Sequence, residues 1–291
     1  MTARALLVSN SAAGSTTADE VDAVSDVLAQ GFDLQLAATG SVAELRDVLD
    51  DFAGDHVIVA GGDGSLHAVV NLLYDLSRLG DTVLGLIPMG TGNDFALGLG
   101  LPTAPLDAAD VCLQTSPTAM DLLVTDDGEA VVNAAHAGLG AVASDRAQVA
   151  KPVAGALAYP MAAVVAGAAE TGDQLEVTLD DRVIHDGPAL FVLAANGPCL
   201  GGGARLCVGA DPADGLIDVL VIGDLAVPAR AGLGLSIQRG THLDHDEVAT
   251  WQGTTLRIRG DAVTHSRDGE LRDALADVTY TIDPGAWCLL R

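Results

Sequence analysis

Over the first 120 residues, segments typical of strands alternate with segments typical of helices, and this alternation constrains the fold more than any other feature. Apolar runs predict strands at residues 5–8, 32–38, 57–60 and 83–87, and periodic stretches predict helices at 18–29 and 66–79. Ser41, with Glu44 three residues later, predicts the capped start of another helix. Because strands and helices alternating at this spacing form right-handed βαβ units, we expect an α/β domain with a mostly parallel sheet.

The second half of the chain has a different pattern. From about residue 119, strand-like segments are bounded by Gly, Asp and Pro. They predict strands at 122–125, 130–135, 175–179, 189–195, 217–222, 254–259 and 278–282, with helices at 155–170 and 228–239. We therefore predict a mainly antiparallel, β-rich second domain. The predicted domains are residues 1–122 plus about 283–291, and residues 123–282.

Composition excludes several classes of protein. The chain has 40 Asp and Glu against 14 Lys and Arg, a net charge of −26, yet 49% of its residues are hydrophobic. This is too apolar for a disordered acidic chain and too acidic for a nucleic-acid-binding protein. Because the acidic residues are dispersed along the chain, they indicate adaptation to a salt-rich cytoplasm of a halophile, where salt screens their repulsion.

Cysteine spacing and hydropathy indicate the cellular compartment of the protein. The four cysteines form no CxxC pair, which favours a reduced, intracellular protein. The apolar stretch at 153–169 is too short for a membrane span and is broken by Pro160. We expect a cytoplasmic protein whose contact with a membrane is at most peripheral.

A glycine-rich turn carries the strongest chemical signal. Gly61, Gly62, Asp63, Gly64 and Ser65 come directly after a predicted strand and before a predicted helix. Glycines there let backbone N–H groups at the helix start approach a phosphate closely. Taken alone, such a turn is also a common structural connector.

A second turn follows the next predicted strand. Residues 88–96 read PMGTGNDFA. Both turns then lie at the carboxyl edge of one parallel sheet, where ligands of open α/β sheets bind. Asp63 and Asp94 would repel a phosphate held there unless a divalent cation intervened, and Mg2+ is bound in this way through a few carboxylates and water. Together the two turns predict an ATP site.

These motifs resemble those of the prokaryotic diacylglycerol kinases and sphingosine kinase-like lipid kinases, whose hallmarks are GGDGT and PxGTxNDFA. Ser65 stands where the family usually has Thr and keeps the hydroxyl. The resemblance covers nearly the whole chain and continues through residues 133–140 (NAAHAGLG), Asn196-Gly197 and Gly201 to Gly203. It implies the fold shared by NAD kinases and diacylglycerol kinases.

The resemblance also implies a nucleotide site and two metal sites. The residues it assigns to ATP are Asn10, Gly14, Thr39, Gly61, Gly62, Asp63, Gly64, Ser65, Thr91 and Asn93. Those it assigns to a catalytic Mg2+, partly through water, are Asp63, Asp94 and Asp121, and those for a structural Mg2+ are Asp211, Asp214 and Leu216.

The triplet Asp268-Gly269-Glu270 matches the family's DGE, which carries the proton acceptor for the substrate hydroxyl. Without the other motifs it would be read as a tight turn. We favour Asp268 as the acceptor and keep Glu270 as an equal candidate. The implied reaction transfers the γ-phosphoryl of ATP to the hydroxyl of a diacylglycerol-like or other lipid alcohol, with transient contact at a membrane surface. A homodimer is left open.

Two other functions share part of this pattern. An NAD kinase shares a GGDG turn after a strand, but PMGTGNDFA is similar to the lipid-kinase form. A catalytically silent nucleotide-binding regulator would have no use for so many carboxylates near ATP, namely Asp63, Asp94, Asp121, Asp268 and Glu270.

Overall fold

The computed structural model describes residues 2–10, 18–138 and 171–291, and the chain divides into two compact units. The N-terminal unit is Met1–Leu122 together with Pro284–Arg291. The C-terminal unit is Leu123–Asp283. The first is an α/β unit and the second is rich in β-strands, as predicted for the two domains.

Parallel strands form the centre of the N-terminal unit. Its elements are β1 (Ala3–Asn10), α1 (Ala18–Leu28), β2 (Phe32–Thr39), α2 (Val42–Asp51), β3 (His56–Gly61), α3 (Asp63–Asp75), a 3-10 turn (Leu79–Asp81), β4 (Val83–Pro88), α4 (Asp94–Leu99), α5 (Pro105–Gln114) and most of β5 (Pro117–Thr125). Strand β1 pairs in parallel with β2 and β3, and β3 pairs in parallel with β4. Cys288 and Leu289, near the end of the chain, also pair in parallel with β4.

Local sequence explains where these helices begin and end. The Ser41 side chain accepts a hydrogen bond from the Glu44 N–H (3.2 Å), and the Glu44 carboxylate accepts one from the Gly40 N–H (2.8 Å). This confirms the predicted cap of α2. Helix α3 begins at Asp63, earlier than predicted, because its polar first turn lacks the apolar periodicity that begins at Leu66.

The C-terminal unit is built mainly from antiparallel strands. Its elements are the end of β5, β6 (Ala130–Val131), β7 (Ala134–Gly138), β8 (Asp173–Leu179), β9 (Arg182–Ala195), β10 (Cys199–Leu200), β11 (Ala204–Arg205), β12 (Ile217–Gly223), α6 (Val227–Arg239), a 3-10 turn (His242–Asp244), β13 (Val248–Gly253), β14 (Thr255–Arg267) and most of β15 (Glu270–Leu290). Strand β9 pairs with β7, β8 and β12, and β14 pairs with β7, β8 and β15, each time antiparallel.

Both faces of the central part of this antiparallel sheet are buried. Alternate residues such as Val192 and Val219 belong to one apolar core, and their neighbours Leu193 and Leu220 belong to another. The second core includes Leu233 of α6. Period-two alternation therefore places successive side chains in two different cores.

Some predicted elements differ from the observed ones. The strand predicted at 130–135 is two strands, β6 and β7, because the backbone at Val132 and Asn133 binds a side chain instead of a neighbouring strand. The strands predicted at 254–259 and 278–282 are parts of the longer β14 and β15. The helix predicted at 155–170 lies outside the described residues.

Among the described residues, no helix is long and apolar enough to cross a membrane.

Candidate functional site

The strands of the N-terminal unit bring several predicted site residues to one edge. Asn10 at the end of β1 is the register partner of Thr39 at the end of β2, and Gly61 at the end of β3 is the partner of Pro88 at the end of β4. All four strands are parallel, so these residues share the carboxyl edge of the sheet. Gly14 lies outside the described residues.

The two glycine turns touch each other at this edge, backbone against backbone. A Cβ added to Gly62 would lie 2.9 Å from the Cα of Gly90, and one added to Gly90 would lie 2.5 Å from the Cα of Gly62. No side chain fits at either position without moving the backbone. The Met89 N–H also donates to the Gly61 carbonyl (3.0 Å), which fixes the second turn against the first.

The start of α3 leaves room for a ligand beside the backbone. The Ser65 and Leu66 N–H groups donate to the Gly62 carbonyl, so the first helical turn closes there. Among the described residues, no atom lies within 4 Å of the position that a Gly64 Cβ would take. Backbone N–H groups in the first turn of a helix have no partner one turn earlier and favour anions.

Asp63 and Asn93 brace the second turn. The Asp63 carboxylate accepts hydrogen bonds from the Asp94 and Phe95 N–H groups, both at 3.0 Å, and so caps α4 from another helix. Asn93 has a left-handed backbone (φ 54°). Its side chain accepts from the Gly90 N–H (3.0 Å) and donates to the Gly90 carbonyl (2.9 Å). Both predicted site residues therefore hold the turn in shape.

Two of the three carboxylates predicted for catalytic Mg2+ lie close together. A Cβ on Gly92 would lie 3.3 Å from Asp63 Oδ2 and 3.8 Å from Asp94 Oδ2, so both oxygens flank the same glycine. Among the described residues, no three His, Cys, Asp or Glu side chains are grouped to hold a metal ion. A pair of carboxylates still fits Mg2+, which commonly takes one or two carboxylates and fills its octahedron with phosphate oxygens and water.

Asp121 is held by a different part of the N-terminal unit. Its Oδ1 accepts a hydrogen bond from the Gly285 N–H (2.8 Å), and its backbone carbonyl accepts one from the Trp287 indole (3.0 Å). Its side chain is buried. Trp287 in turn stacks on Phe95 of α4, with ring centroids 5.9 Å apart. The bonds to Asp121 thus join the returning end of the chain to β5.

In the C-terminal unit, the DGE triplet forms the turn between β14 and β15. Asp268 and Gly269 both have left-handed backbones, with φ of 48° and 86°. The Asp268 carboxylate accepts hydrogen bonds from the N–H groups of Val132 (2.7 Å), Asn133 (2.8 Å) and Ala134 (3.0 Å). It therefore supplies acceptors to backbone groups at the break between β6 and β7.

Glu270 has different surroundings. Its side chain is 55% exposed and forms an ion pair with Arg272 (2.9 Å). Arg272 also binds Glu129, and Glu129 forms a further ion pair with the buried Arg267 (2.6 Å). Burial alone would raise the pKa of Glu129, but hydrogen bonds and charge from Arg272 and Arg267 outweigh it, and the pKa lies below its usual range.

Sequence reasoning missed this chain of ion pairs. Glu129 and the two arginines are more than 130 positions apart, and no local motif links them. The network fixes the position of Arg272 beside the exposed Glu270 carboxylate.

The loop predicted to hold a structural Mg2+ is also in the C-terminal unit. Asp214 Oδ1 accepts the Leu216 N–H (2.9 Å), and the Asp211 carbonyl accepts the Asp214 N–H (3.2 Å). Nearby, Asp218 Oδ2 is buried and has no hydrogen-bond donor among the described residues. Burial raises the pKa of Asp218. A hydrogen bond from Gln252 lowers it and the charge of Asp214 raises it, and the pKa lies above its usual range. A cation bound near that oxygen would satisfy it.

Two family models match the chain, one over each half. Residues 4–125 match the model of the diacylglycerol kinase catalytic domain. Residues 133–291 match the model of the YegS C-terminal NAD kinase beta sandwich-like domain. The chain belongs to the diacylglycerol kinase-like family of lipid kinases. This confirms the family that the GGDGS and PMGTGNDFA turns indicated.

Curated relatives and solved structures give the same picture. A probable lipid kinase YegS-like protein of Stenotrophomonas maltophilia is 34% identical over 258 residues, covering 84% of this chain and 81% of the relative. The crystal structure of a putative diacylglycerol kinase from Bacillus anthracis has a TM-score of 0.84 at 22% identity and covers 99% of this chain and 94% of its own. An NAD kinase from Archaeoglobus fulgidus in complex with ATP has the fold more distantly, with a TM-score of 0.56 at 12% identity, covering 99% and 93%.

Proposed function

We propose that this protein is an ATP- and Mg2+-dependent kinase that phosphorylates the hydroxyl of a diacylglycerol-like or other lipid alcohol. The observation that carries the proposal is the contact between the Gly62 and Gly90 turns, with Asp63 and Asp94 beside it, at the carboxyl edge of a parallel sheet. Membership of the family supports lipid as the acceptor.

The nucleotide phosphates would bind at this edge of the N-terminal unit. Gly64 leaves space beside the backbone among the described residues, Gly61 and Gly62 allow close packing against Ser65 and the Gly90 turn, and Ser65 adds a hydroxyl. Thr91 is exposed on the second turn, while Asn10 and Thr39 end the neighbouring strands. In such a site catalysis depends on positioning and on neutralising charge.

Asp63 and Asp94 would hold the Mg2+, with Asp121 acting through water. The ion would neutralise charge on the phosphate oxygens. Asp63 has a second task, because it also caps α4. Asp211, Asp214 and Leu216 would hold the structural ion, with Asp218 close enough to feel the charge of Asp214.

Of the DGE pair, Glu270 is the better placed to accept the proton. Its carboxylate is exposed, whereas that of Asp268 receives three backbone N–H groups. In the proposed reaction the lipid oxygen bonds to the γ-phosphorus as the bond from that phosphorus to the β,γ-bridging oxygen breaks. The hydroxyl proton passes to the carboxylate of Glu270 and the products are a phospholipid and ADP. Asp268 then fixes the turn that carries Glu270.

We further propose a cytoplasmic protein that meets its lipid at a membrane surface transiently. The net charge of −26 would repel anionic lipid and nucleic acid at low salt. Salt would weaken this repulsion. A homodimer is compatible with the proposal and is not required by it.

The direct test is transfer of radiolabelled γ-phosphate from ATP with Mg2+ in molar KCl. The acceptors are neutral lipids, polar lipids and, separately, NAD. We expect label in an organic-extractable product with wild type and none with Asp94→Asn. Label on NAD alone would assign the protein to the NAD kinases. ATP binding without label on any acceptor would identify a silent regulator.

A further inference from the structure

Two buried polar side chains lie opposite each other next to the DGE turn. His136 on β7 and Ser266 on β14 are register partners in the antiparallel ladder, so their side chains lie on the same face of the sheet. Asp268 follows Ser266 by two residues, and its N–H donates to the carbonyl of Ala134 (2.9 Å). The pair is therefore one pleat repeat, about 7 Å along the strands, from the turn.

Each side chain has a buried polar atom that lacks a hydrogen-bond partner in the described part of the chain. His136 is 3% exposed and Ser266 is 1% exposed. His136 Nδ1 and Ser266 Oγ have no donor or acceptor within bonding distance among the described residues. Buried polar groups are nearly always paired with protein, water or a ligand, so two facing orphans require an explanation.

The chemistry of the His136 and Ser266 side chains favours an uncharged ligand. Burial, with a smaller contribution from His265, lowers the pKa of His136 to about 4, so the ring is neutral at pH 7. A neutral imidazole offers one donor and one acceptor, and a hydroxyl offers both. The His136 ring also packs on Phe191, with centroids 5.1 Å apart, and Leu193 is its register partner on β9. These surroundings suit an oxygen on an apolar molecule and disfavour an anion.

We propose that His136 and Ser266 bind a second oxygen of the acceptor lipid, a hydroxyl, ester or ether oxygen next to the alcohol that is phosphorylated. The assignment rests on the proposed function and adds a specificity determinant to it. The pair selects a glycerol-type headgroup over a simple long-chain alcohol, since only the former has such an oxygen beside the reacting hydroxyl.

The test compares two acceptors that differ in that oxygen, dioctanoylglycerol and decan-1-ol. The variants are Ser266→Ala and His136→Phe, which keeps a ring against Phe191. The matched control is Ser236→Ala, which removes a buried hydroxyl that donates to the Leu233 carbonyl inside α6 (2.8 Å). None of these residues belongs to the proposed nucleotide site.

We expect both variants at the pair to raise KM for dioctanoylglycerol about tenfold, the effect of one lost hydrogen bond. KM for decanol and for ATP should not change, and Ser236→Ala should leave all three constants as in wild type. His136→Gln, which keeps a donor and an acceptor, should restore part of the affinity. An equal rise for both acceptors, or no rise, would overturn the inference.

Direct binding separates this inference from the proposed function. If wild type phosphorylates neither acceptor, isothermal titration with dioctanoylglycerol still tests the pair. Binding by wild type and Ser236→Ala that is lost in Ser266→Ala would uphold the lipid site while the kinase proposal fails. Equal binding by all three proteins, or none by wild type, would show that the pair does not bind the lipid.

Discussion

At the scale of single residues, substitutions of the two acids of the DGE turn should differ clearly in their effect on stability. Replacing Asp268 with Ala removes the acceptor of three backbone N–H groups, and we expect the free energy of unfolding to fall by about 2–4 kcal/mol. Glu270→Gln removes only an exposed ion pair with Arg272, worth less than about 1 kcal/mol. Urea unfolding followed by circular dichroism measures both.

Glu270→Gln, which should barely change stability, should strongly lower activity. Glu270→Gln should fold as wild type and lose about 10²- to 10⁴-fold in kcat, since the proton acceptor is gone. Arg272→Gln is the matched control, because it breaks the same ion pair and leaves the carboxylate in place. A Glu270→Gln enzyme with normal kcat would assign the proton acceptor elsewhere.

These residues also show where sequence reasoning stops. The motif placed Asp268 and Glu270 in one turn, but their different surroundings depend on partners far away in the chain. Asp268 binds the backbone at Val132 to Ala134, and Arg272 binds Glu129. Such pairings are set by tertiary register, which carries no local signal. The same limit applies to Asp63, whose bonds to the Asp94 and Phe95 N–H groups cross between helices.

At the scale of elements, the two glycine turns could be predicted from the local sequence. A strand, a glycine turn and a helix follow directly from local sequence, and parallel strands bring two such turns to one edge. The closeness of Gly62 and Gly90, and the break between β6 and β7, were not predictable, because both arise from packing between distant segments.

This packing predicts opposite effects of two glycine substitutions. Gly90→Ala forces a Cβ to 2.5 Å from the Gly62 Cα, and we expect a loss of about 2–3 kcal/mol of stability. Gly64→Ala meets no atom of the described residues within 4 Å and lies in a helix, so it should gain about 0.5–1 kcal/mol of stability. The added methyl group should still weaken ATP binding about tenfold by obstructing the phosphates.

Gly232→Ala in α6 is the control for the second effect. Its added Cβ also has no atom within 4 Å in the part of the chain that the structure describes, so it should gain similar stability and leave ATP binding unchanged. Thermal unfolding measures the stability of the three glycine variants, and ATP titration measures their affinity for ATP. Tight ATP binding by Gly64→Ala would place the phosphates away from the α3 turn.

At the scale of the whole molecule, the net charge of −26 should make the stability of the fold depend on salt. The dispersed carboxylates repel one another in the compact state, and that repulsion is screened once the Debye length falls below their separation. The length is about 10 Å at 0.1 M salt and about 3 Å at 1 M. The fold should therefore be markedly more stable in concentrated KCl.

The way in which the melting temperature depends on KCl concentration identifies the cause of the stabilisation by salt. Screening should raise the melting temperature steeply from low salt to about 0.5 M KCl and then saturate, because the Debye length changes little beyond that point. Strengthened burial of apolar groups by salt would instead continue to rise with concentration. Differential scanning calorimetry at constant pH over this range distinguishes the two. A melting temperature that is flat below 0.5 M would mean that the acidic surface carries no net repulsion in the folded protein.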